Sequence, residues 1–276
     1  MARVWNRIVC GAALTWLGLA GPGQAQQDAI EKGLQQYRQM LKEDPWSNPG
    51  WLDADRGEAL WRTARGPNNV SLEQCDLGQG PGKVEGAFAE LPRYFADAGR
   101  VMDAEARIIW CMERLQGFDR KALVQRPYPG GGQPTKEIGA LATYVASKSN
   151  GMAFKASVQH PKEKETLALG EALFFRRQGP MDFSCSTCHG DDGRRIRLQE
   201  LPYLSRPAEA KKVIGEWPAY RVSTTHVMTM QHRIYDCFWQ MRLPQVDIGS
   251  DVPVALTMYL VHTANGGEIL APGLKR

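Results

Sequence analysis

The sequence has 276 residues, of which 43% are hydrophobic, and its 34 Lys and Arg against 30 Asp and Glu leave a formal net charge of +4. This composition is typical of a globular protein, and no basic cluster has the form of a nucleic-acid surface, so we exclude a nucleic-acid partner. The length suffices for one large or two small domains.

The N-terminus has the order of a secretory signal peptide. Positive charges at Arg3 and Arg7 precede a mostly apolar run over residues 8–20, and small residues follow up to Ala25. The apolar run is too short to span a bilayer permanently, and no later stretch is long and apolar enough to cross one. We therefore predict a signal peptide over residues 1–25, loss of Cys10 with it, and a periplasmic mature chain of formal charge near +2 without a membrane span.

Helical periodicity predicts a mainly α fold. Ile30, Leu34, Tyr37 and Leu41 have the spacing of one helix face. No run of alternating residues predicts a convincing strand. The Pro- and Gly-rich stretch Pro127–Pro134 is predicted to be a loop.

Two motifs occur twice, in the same order. Arg-Ile-x-x-Cys begins at Arg107 and again at Arg233, 126 positions later. Ala-Leu-x-x-Tyr with a following Asn-Gly begins at Ala140 and again at Ala255, 115 positions later. Two matching motifs in one order predict a pair of duplicated domains.

Each copy ends in a predicted helix that stops at Asn-Gly. The apolar i, i+3, i+4 stripes of these two helices are Leu141, Tyr144 and Val145 in the first copy and Leu256, Tyr259 and Leu260 in the second. Between Ser147 and Lys164 the chain turns polar, and we place the domain boundary there. The predicted domains are residues 26–155 and 156–276.

The segment from Cys185 to His189 carries the motif Cys-x-x-Cys-His. At this spacing Cys185 and Cys188 form thioethers with the vinyl groups of one covalently bound haem c, and His189 is the proximal iron ligand. The preceding segment, with Gly170 and Phe174, is similar to the first helix of a cytochrome c domain. A redox Cys-x-x-Cys or a zinc knuckle is the alternative, but zinc would need two further ligands at suitable spacing.

Three cysteines remain in the mature chain once the haem has taken two. Cys75 lies roughly where the first domain should hold its own haem motif, but the second Cys and the His are missing there. Cys111 matches Cys237 through the repeated Arg-Ile-x-x-Cys motif. The first domain therefore has the pattern of a cytochrome domain that has lost its haem. Cys75 and Cys111 are its candidate disulfide, which would stabilise it by about 3–4 kcal/mol.

Cys237 is then unpaired, 48 residues after His189, in the region where a cytochrome c supplies its distal ligand. Arg233 lies one helical turn earlier, where a guanidinium stabilises a thiolate and can clamp an oxyanion. A haem, a thiolate and an oxyanion clamp together favour oxidative sulfur chemistry. A buried, inert Cys237 is the alternative. The rival distal ligands are His226, Met228, Met230, His232 and Met241.

The export signal, the haem motif and the segment Arg233–Cys237 with Met-Arg at 241–242 resemble the SoxA family, the catalytic subunits of SoxAX cytochrome complexes in bacterial sulfur oxidation. The resemblance implies that Cys237, as thiolate or persulfide, is both distal haem ligand and reactive sulfur. It also implies that Arg233 binds the substrate and that His189 is the proximal ligand. The broken motif at Cys75 is similar to the single-haem branch, in which a disulfide replaces the haem of the N-terminal domain.

The resemblance further implies an L-cysteine S-thiosulfotransferase. Such an enzyme couples thiosulfate oxidatively to a cysteine of a SoxYZ-type sulfur carrier. It forms a heterodimer with a SoxX-type small cytochrome c, which passes the electrons to a soluble acceptor cytochrome. The alternatives are a plain electron-transfer c-type cytochrome with a Met or His distal ligand, and a structural subunit with an inactive haem. Candidate ligands of an accessory metal such as copper, or simply surface and core residues, are His160, His226, His232 and His262.

Overall fold

The computed structural model describes residues 29, 32–33, 35–36, 39–40, 43–196 and 199–275. The predicted signal peptide lies outside the described residues, as do the four residues of the first predicted helix stripe. The chain divides into two units, Met1–Ser47 and Asn48–Arg276, and the described part of the first ends in a 3-10 helix at Pro45–Ser47. Across the described ranges, no helix combines the length and apolar character needed to cross a membrane.

The second unit is mainly helical, as the periodicity predicts. Its helices are α1 Gly50–Arg62, α2 Ala104–Arg114, α3 Arg120–Val124, α4 Glu137–Ser147, α5 Pro161–Phe175, α6 Cys185–His189, α7 Pro207–Val213, α8 Met230–Gln240 and α9 Asp251–Thr263. Short 3-10 helices at Leu72–Gln74, Ala87–Glu90 and Ile214–Glu216 lie between them. The predicted loop, Pro127–Pro134, contains no helix or strand.

Small sheets, which the sequence does not predict, connect the helices. They are built from β1 Arg93–Phe95, β2 Arg100–Met102, β3 Arg195–Ile196, β4 Gln199–Glu200, β5 Ala219–Arg221, β6 His226–Met228 and β7 Gly273–Lys275. The pairs β1–β2 and β3–β4 are antiparallel, while β5 pairs antiparallel with β6 and parallel with β7. Strands of two or three residues are too short to show the alternation by which a strand is recognised in sequence.

The two halves of this unit repeat one another at their helix crossings. We call residues 50–147 the first repeat and residues 161–275 the second. In the first, α1 packs on α4 at Gly57, where a Cβ atom would overlap the carbonyl group of Ala140. In the second, α5 packs on α9 at Gly170, where a Cβ would overlap the carbonyl group of Ala255. Only glycine permits such close backbone approach, so both crossings depend on the same residue type.

A hairpin followed by a capped helix is the second shared feature. Strands β1 and β2 lead into α2, whose N-cap Asp103 accepts a hydrogen bond from Ala106 N at 2.9 Å. Strands β5 and β6 lead into α8, whose N-cap Thr229 accepts one from His232 N at 3.1 Å. The two Arg-Ile-x-x-Cys motifs occupy α2 and α8. Capping residues of this kind satisfy backbone N–H groups that the first helical turn leaves unpaired.

Each repeat has its own apolar core. The predicted stripes of α4 and α9 are both buried. The first core also contains Trp61, Leu72 and Met112, and the second contains Phe174 and Phe238. Complete burial of one large apolar side chain contributes roughly 1.5–3 kcal/mol, so these cores supply most of the stabilisation of the helical scaffold.

Candidate functional site

The predicted haem-attachment residues lie on one short helix. α6 begins after Ser184, whose hydroxyl accepts a hydrogen bond from Thr187 N at 3.1 Å, while Thr187 Oγ1 accepts one from Ser184 N at 3.0 Å. This reciprocal cap stabilises a helix of only five residues. Because residues three and four apart share a helix face, α6 presents Cys185, Cys188 and His189 on the same side.

His189 is oriented by a hydrogen bond of its ring. Its Nδ1 lies 2.9 Å from the carbonyl oxygen of Pro202. A carbonyl oxygen can only accept, so Nδ1 carries the proton and Nε2 keeps its lone pair for a metal. Burial lowers the pKa of His189, which favours the neutral imidazole that binds iron. The residues of α6 therefore fit a covalently attached haem.

The tertiary structure brings Cys237 of α8 to the thiols of α6. Cys185 and Cys237 are half-buried and pack against the same core cluster. Burial raises the pKa of Cys185 to about 12, and the neighbouring Cys237 contributes to the rise. Cys188 in turn acts on the pKa of Cys237, which burial raises. The thiols of two helices thus lie near enough to influence one another electrostatically.

The rival distal ligands fall into two groups. His232 stacks on Tyr128 at 4.1 Å between ring centroids, and on His226 at 5.4 Å. The three methionines lie closer to the surroundings of Cys237: the sulfur of Met228 is 4.0 Å from Arg221 Nη1, Met241 belongs to the core cluster that Cys185 and Cys237 contact, and Met230 packs against that cluster.

Arg233 lies one turn before Cys237, as predicted, and it forms an ion pair with Asp236. The sequence predicts that Arg233 lowers the pKa of Cys237. In the structure the guanidinium does act in that direction, but burial is the larger effect and Asp236 opposes the arginine, so the pKa of this thiol is raised. The expectation of a lowered pKa is therefore wrong for the protein chain, because desolvation outweighs a partly neutralised charge.

Arg221, which the sequence does not single out, adds a second guanidinium to the site. It ends β5, opposite His226 of β6. Burial lowers the pKa of Arg221, and the charge of Arg233 lowers it further. The charge of Arg221 acts to lower the pKa of Cys237, and the charges of Asp236 and Cys237 act to raise the pKa of Arg221. Alignment of the two repeats could have revealed Arg221, because it stands where the first repeat has Phe95, 126 residues earlier.

The equivalent region of the first repeat is filled by protein. Cys75 and Cys111 are joined in a disulfide with a Cα–Cα distance of 5.7 Å, and both are buried. This is the pair named from the sequence.

Arg107, the counterpart of Arg233, is 1% exposed. Its guanidinium lies 4.1 Å from the ring centroid of Phe95 and 4.3 Å from that of Trp110, and it donates to both oxygens of Asp97 at 2.9 and 2.8 Å. Its Nε donates to Asp76 O at 2.7 Å. With three of its five N–H donors paired and its side chain buried, Arg107 is inaccessible to a ligand.

Of the histidines considered for an accessory metal, His226 and His232 stack on one another, whereas His160 caps a different helix. His160 caps α5 through Nδ1, which accepts from Lys162 N at 3.1 Å, and stacks on Tyr94 at 3.7 Å. His226 Nδ1 lies 2.9 Å from Thr224 O. Within the part of the chain that the structure describes, no three His, Cys, Asp or Glu side chains converge to hold a metal ion.

Comparison with known proteins gives one consistent result. The family described as SoxA/TsdA, cytochrome c domain, matches residues 56–154 and 169–269. These two ranges confirm the predicted pair of cytochrome c domains in tandem.

Curated relatives match over almost the full chain. The L-cysteine S-thiosulfotransferase subunit SoxA of Hydrogenophilus thermoluteolus is 45% identical over 98% of this chain and 97% of its own length. The subunit of the same name from Hydrogenobacter thermophilus is 34% identical over 100% of both chains. Among solved structures, SoxXA from Paracoccus pantotrophus superposes with a TM-score of 0.70 at 24% identity, covering 87% of this chain and 84% of that one.

Proposed function

Because the chain belongs to the SoxA/TsdA cytochrome c family, we propose that it is an L-cysteine S-thiosulfotransferase of thiosulfate oxidation that works through Cys237. The observation that carries the proposal is the proximity of Cys237 both to the cysteines of the haem-motif helix and to Arg233 and Arg221. A plain electron carrier has no need of a reactive thiol beside two guanidinium groups.

The haem is held by residues of the second repeat. Cys185 and Cys188 would attach it through thioethers, and His189 Nε2 and the Cys237 sulfur would bind the iron. When bound, the haem supplies a one-electron redox centre beside the reactive sulfur. The Cys75–Cys111 disulfide of the first repeat, where the sequence lacks a second haem motif, supports one haem per chain.

Arg233 and Arg221 bind the sulfonate end of thiosulfate. Planar guanidinium groups suit an oxyanion because several N–H donors point to neighbouring oxygens. Asp236 already pairs with Arg233, so the substrate competes with this carboxylate for the same donors. With its sulfonate held there, thiosulfate presents its outer sulfur to Cys237.

The reaction consists of one oxidative and one exchange step. Cys237 releases its thiol proton, its sulfur forms an S–S bond with the outer sulfur of thiosulfate, and two electrons are released. A cysteine thiolate of the carrier then attacks that outer sulfur, takes over the thiosulfate group and releases the Cys237 thiolate. The electrons pass to a SoxX-type cytochrome c subunit and then to a soluble cytochrome, and the carrier is of SoxYZ type.

We further propose that the protein is periplasmic and that it consists of two cytochrome domains. The signal peptide over residues 1–25 directs the chain to the periplasm, where c-type haem is attached. Residues 26–155 and 156–276 form the two cytochrome domains. The likeness of the fold to SoxXA from Paracoccus pantotrophus supports a heterodimer with the small cytochrome.

Peptide mass spectrometry across Cys237 tests the function. Haem-loaded wild-type protein is treated with thiosulfate and an electron acceptor, with or without a reductant afterwards. We expect a thiosulfate or persulfide adduct on Cys237 that the reductant removes, and no adduct on Cys75 or Cys111. Cys237→Ser is the matched control and should lose turnover. A Cys237 that stays an unmodified thiol throughout, in protein that still transfers electrons, would establish the plain cytochrome instead.

A further inference from the structure

The N-terminal turns of the equivalent helices α2 and α8 meet, and their side chains cap one another. Glu105 of α2 accepts hydrogen bonds from Thr229 Oγ1 at 2.6 Å and from Gln231 N at 3.1 Å. In return, Gln231 Nε2 donates to Asp103 Oδ2 at 2.6 Å. Asp103 matches Thr229 and Glu105 matches Gln231 at the repeat distance of 126 positions. The exchange is therefore reciprocal across the pair of repeats.

This contact is buried and all its main groups are paired. Asp103, Glu105, Thr229 and Gln231 are each at most 4% exposed. Asp103 Oδ1 also accepts from Ala106 N at 2.9 Å, and Gln231 Oε1 accepts from Gly249 N at 2.7 Å. Loss of one partner leaves a buried polar group unsatisfied, at a cost of about 1–3 kcal/mol. A network of this kind favours a single arrangement of the two helices.

The helix that Glu105 holds is the one that carries the reactive residues. Thr229, which donates to Glu105, is the N-cap of α8, and its carbonyl oxygen accepts from Arg233 N at 3.0 Å. Cys237 follows one turn later on the same helix face. A helix behaves as a rigid rod over two turns, so a shift or rotation at Thr229 is transmitted to Arg233 and Cys237.

A second contact from the first repeat supports the same helix. Tyr128, in the Pro- and Gly-rich loop, stacks on His232 at 4.1 Å and packs at a tilt against Tyr235 at 5.1 Å. In the sequence of α8, His232 directly precedes Arg233, and Tyr235 directly precedes Asp236. The first repeat thus contacts α8 at its N-cap and along its first two turns.

We propose that Glu105, from the first repeat, is a positioning residue for the reaction at Cys237: it holds α8 in the register that sets Arg233 and Cys237 against α6. The expected effect on catalysis rests on the proposed function. The expected effect on the position of α8 rests on the hydrogen bonds of Glu105 alone. It assigns a role to the first repeat, whose own copy of the site is closed by a disulfide and a buried arginine.

The test compares Glu105→Gln with wild-type holoprotein. Both proteins are assayed above about pH 8, where Glu105 is ionised and both of its oxygens accept. Under that condition an amide keeps the size of the carboxylate but replaces one acceptor with a donor, so the Thr229 hydroxyl loses its acceptor. We expect faster hydrogen exchange of the α8 amides, an altered ferric haem spectrum, and kcat lowered about tenfold or more with KM changed less than about threefold. Small displacements of reacting groups are known to reduce rate more than binding.

Glu163→Gln is the matched control, because Glu163 is also buried and accepts two backbone hydrogen bonds, from Tyr94 N at 2.9 Å and from His160 N at 3.0 Å, but caps α5 rather than α8. It should leave kcat and the α8 exchange unchanged. An equal fall of kcat in both variants, or an unchanged kcat in Glu105→Gln despite faster α8 exchange, would overturn the proposal.

A second pair of variants decides the matter if Glu105→Gln does not accumulate as holoprotein. Thr229→Ser retains the hydroxyl that donates to Glu105 and accepts from His232 N, whereas Thr229→Asp retains an N-cap acceptor for His232 N but no donor for Glu105. Wild-type kcat in the first and a loss in the second support the proposal, and equal kcat values overturn it. If wild-type protein shows no turnover with thiosulfate, the proposed function fails. The α8 exchange and ferric spectrum then decide the positioning role, and unchanged values in Glu105→Gln overturn it.

Discussion

At the scale of single residues, the two repeats place different side chains on one framework. Arg107 and Arg233 occupy matching positions, but their neighbours differ. In the first repeat Phe95 and Asp97 help to bury and pair the arginine. In the second, Arg221 stands at the position of Phe95, so a second positive charge replaces an aromatic ring. That exchange places two guanidinium groups where we propose that the sulfonate of thiosulfate binds.

Substitution of either arginine should weaken thiosulfate binding. Charge-assisted hydrogen bonds are worth about 1.5–3 kcal/mol, so we expect Arg233→Met to raise KM about tenfold to a hundredfold, and Arg221→Met to raise it less. Steady-state kinetics measures both. Arg62→Met, which removes an exposed arginine of α1 that pairs with Glu58, is the control and should retain the wild-type KM. A normal KM in Arg233→Met would exclude this residue from substrate binding.

At the scale of secondary-structure elements, close helix contacts determine where the site residues lie. α5 leads to the haem-motif helix and crosses α9 where Gly170 meets the carbonyl group of Ala255. α8 carries Cys237 and is capped by Glu105 of α2.

Gly170→Ala should destabilise the protein by about 1–3 kcal/mol or more, because the added methyl group overlaps the backbone of α9 and forces the helices apart. Urea unfolding measures the change in free energy. Gly131→Ala is the control, since nothing lies within 4 Å of a Cβ there, and its free energy of unfolding should change little. Equal stability of the two variants would show that the crossing tolerates a side chain.

The α2–α8 contact should also make stability depend on pH. Burial, and the charge of Asp103, raise the pKa of Glu105 from its ordinary 4.5 to about 8. Between these values the folded protein retains a proton that the unfolded chain has released, so the free energy of unfolding falls as pH rises. Burial lowers the pKa of His232 from 6.5 to about 3, which gives the opposite slope below about pH 6.5.

Urea unfolding between about pH 6.5 and about pH 8 therefore isolates the contribution of the buried carboxyl groups to the pH dependence of the free energy of unfolding. Wild-type stability should decrease across this window, and Glu105→Gln should flatten the slope. Two other titratable groups lie beside Glu105 and remain in the variant. Burial raises the pKa of Asp103, against the opposing charge of Arg100, and burial also raises the pKa of Tyr128. Glu163→Gln should keep the wild-type slope. An equally steep slope in Glu105→Gln would mean that this carboxyl group is already ionised.

At the scale of the whole molecule, duplication has produced two repeats with different means of stabilisation. The second repeat has the haem motif on α6, and the first has the Cys75–Cys111 disulfide with the packed Arg107. The repeats meet through buried hydrogen bonds, including Val227 N to Thr135 Oγ1 at 2.9 Å. We therefore expect the first repeat to influence stability strongly and haem content little.

Removal of the disulfide tests this division. The double variant Cys75→Ala/Cys111→Ala should lose about 3–4 kcal/mol of unfolding free energy, since the bridge closes a chain separation of 36 residues. Its haem content should remain one per chain, as measured by haem absorbance against protein concentration. Cys185→Ala/Cys188→Ala is the counterpart and should abolish covalent haem attachment. Two haems per wild-type chain would contradict the assignment.

The spacing of residues in the sequence is sufficient to predict the features that depend on neighbours along the chain. The haem motif, the repeated Arg-Ile-x-x-Cys and the helix stripes are all local patterns, and the stripes and the tandem cytochrome fold are confirmed. The same spacing named Cys75 and Cys111 as a pair. Such patterns survive because helix periodicity and covalent haem attachment impose short, regular intervals on the sequence.

Tertiary structure alone decided what depends on contacts between distant segments. Arg221 comes near Cys237 only because β5 pairs with β6 ahead of α8, and Glu105 reaches Thr229 across 124 positions. The raised pKa of Cys237 results from burial, which no interval in the sequence measures. Desolvation and hydrogen bonding across the repeats arise only when the chain is packed, because their energies depend on which groups exclude water from which others.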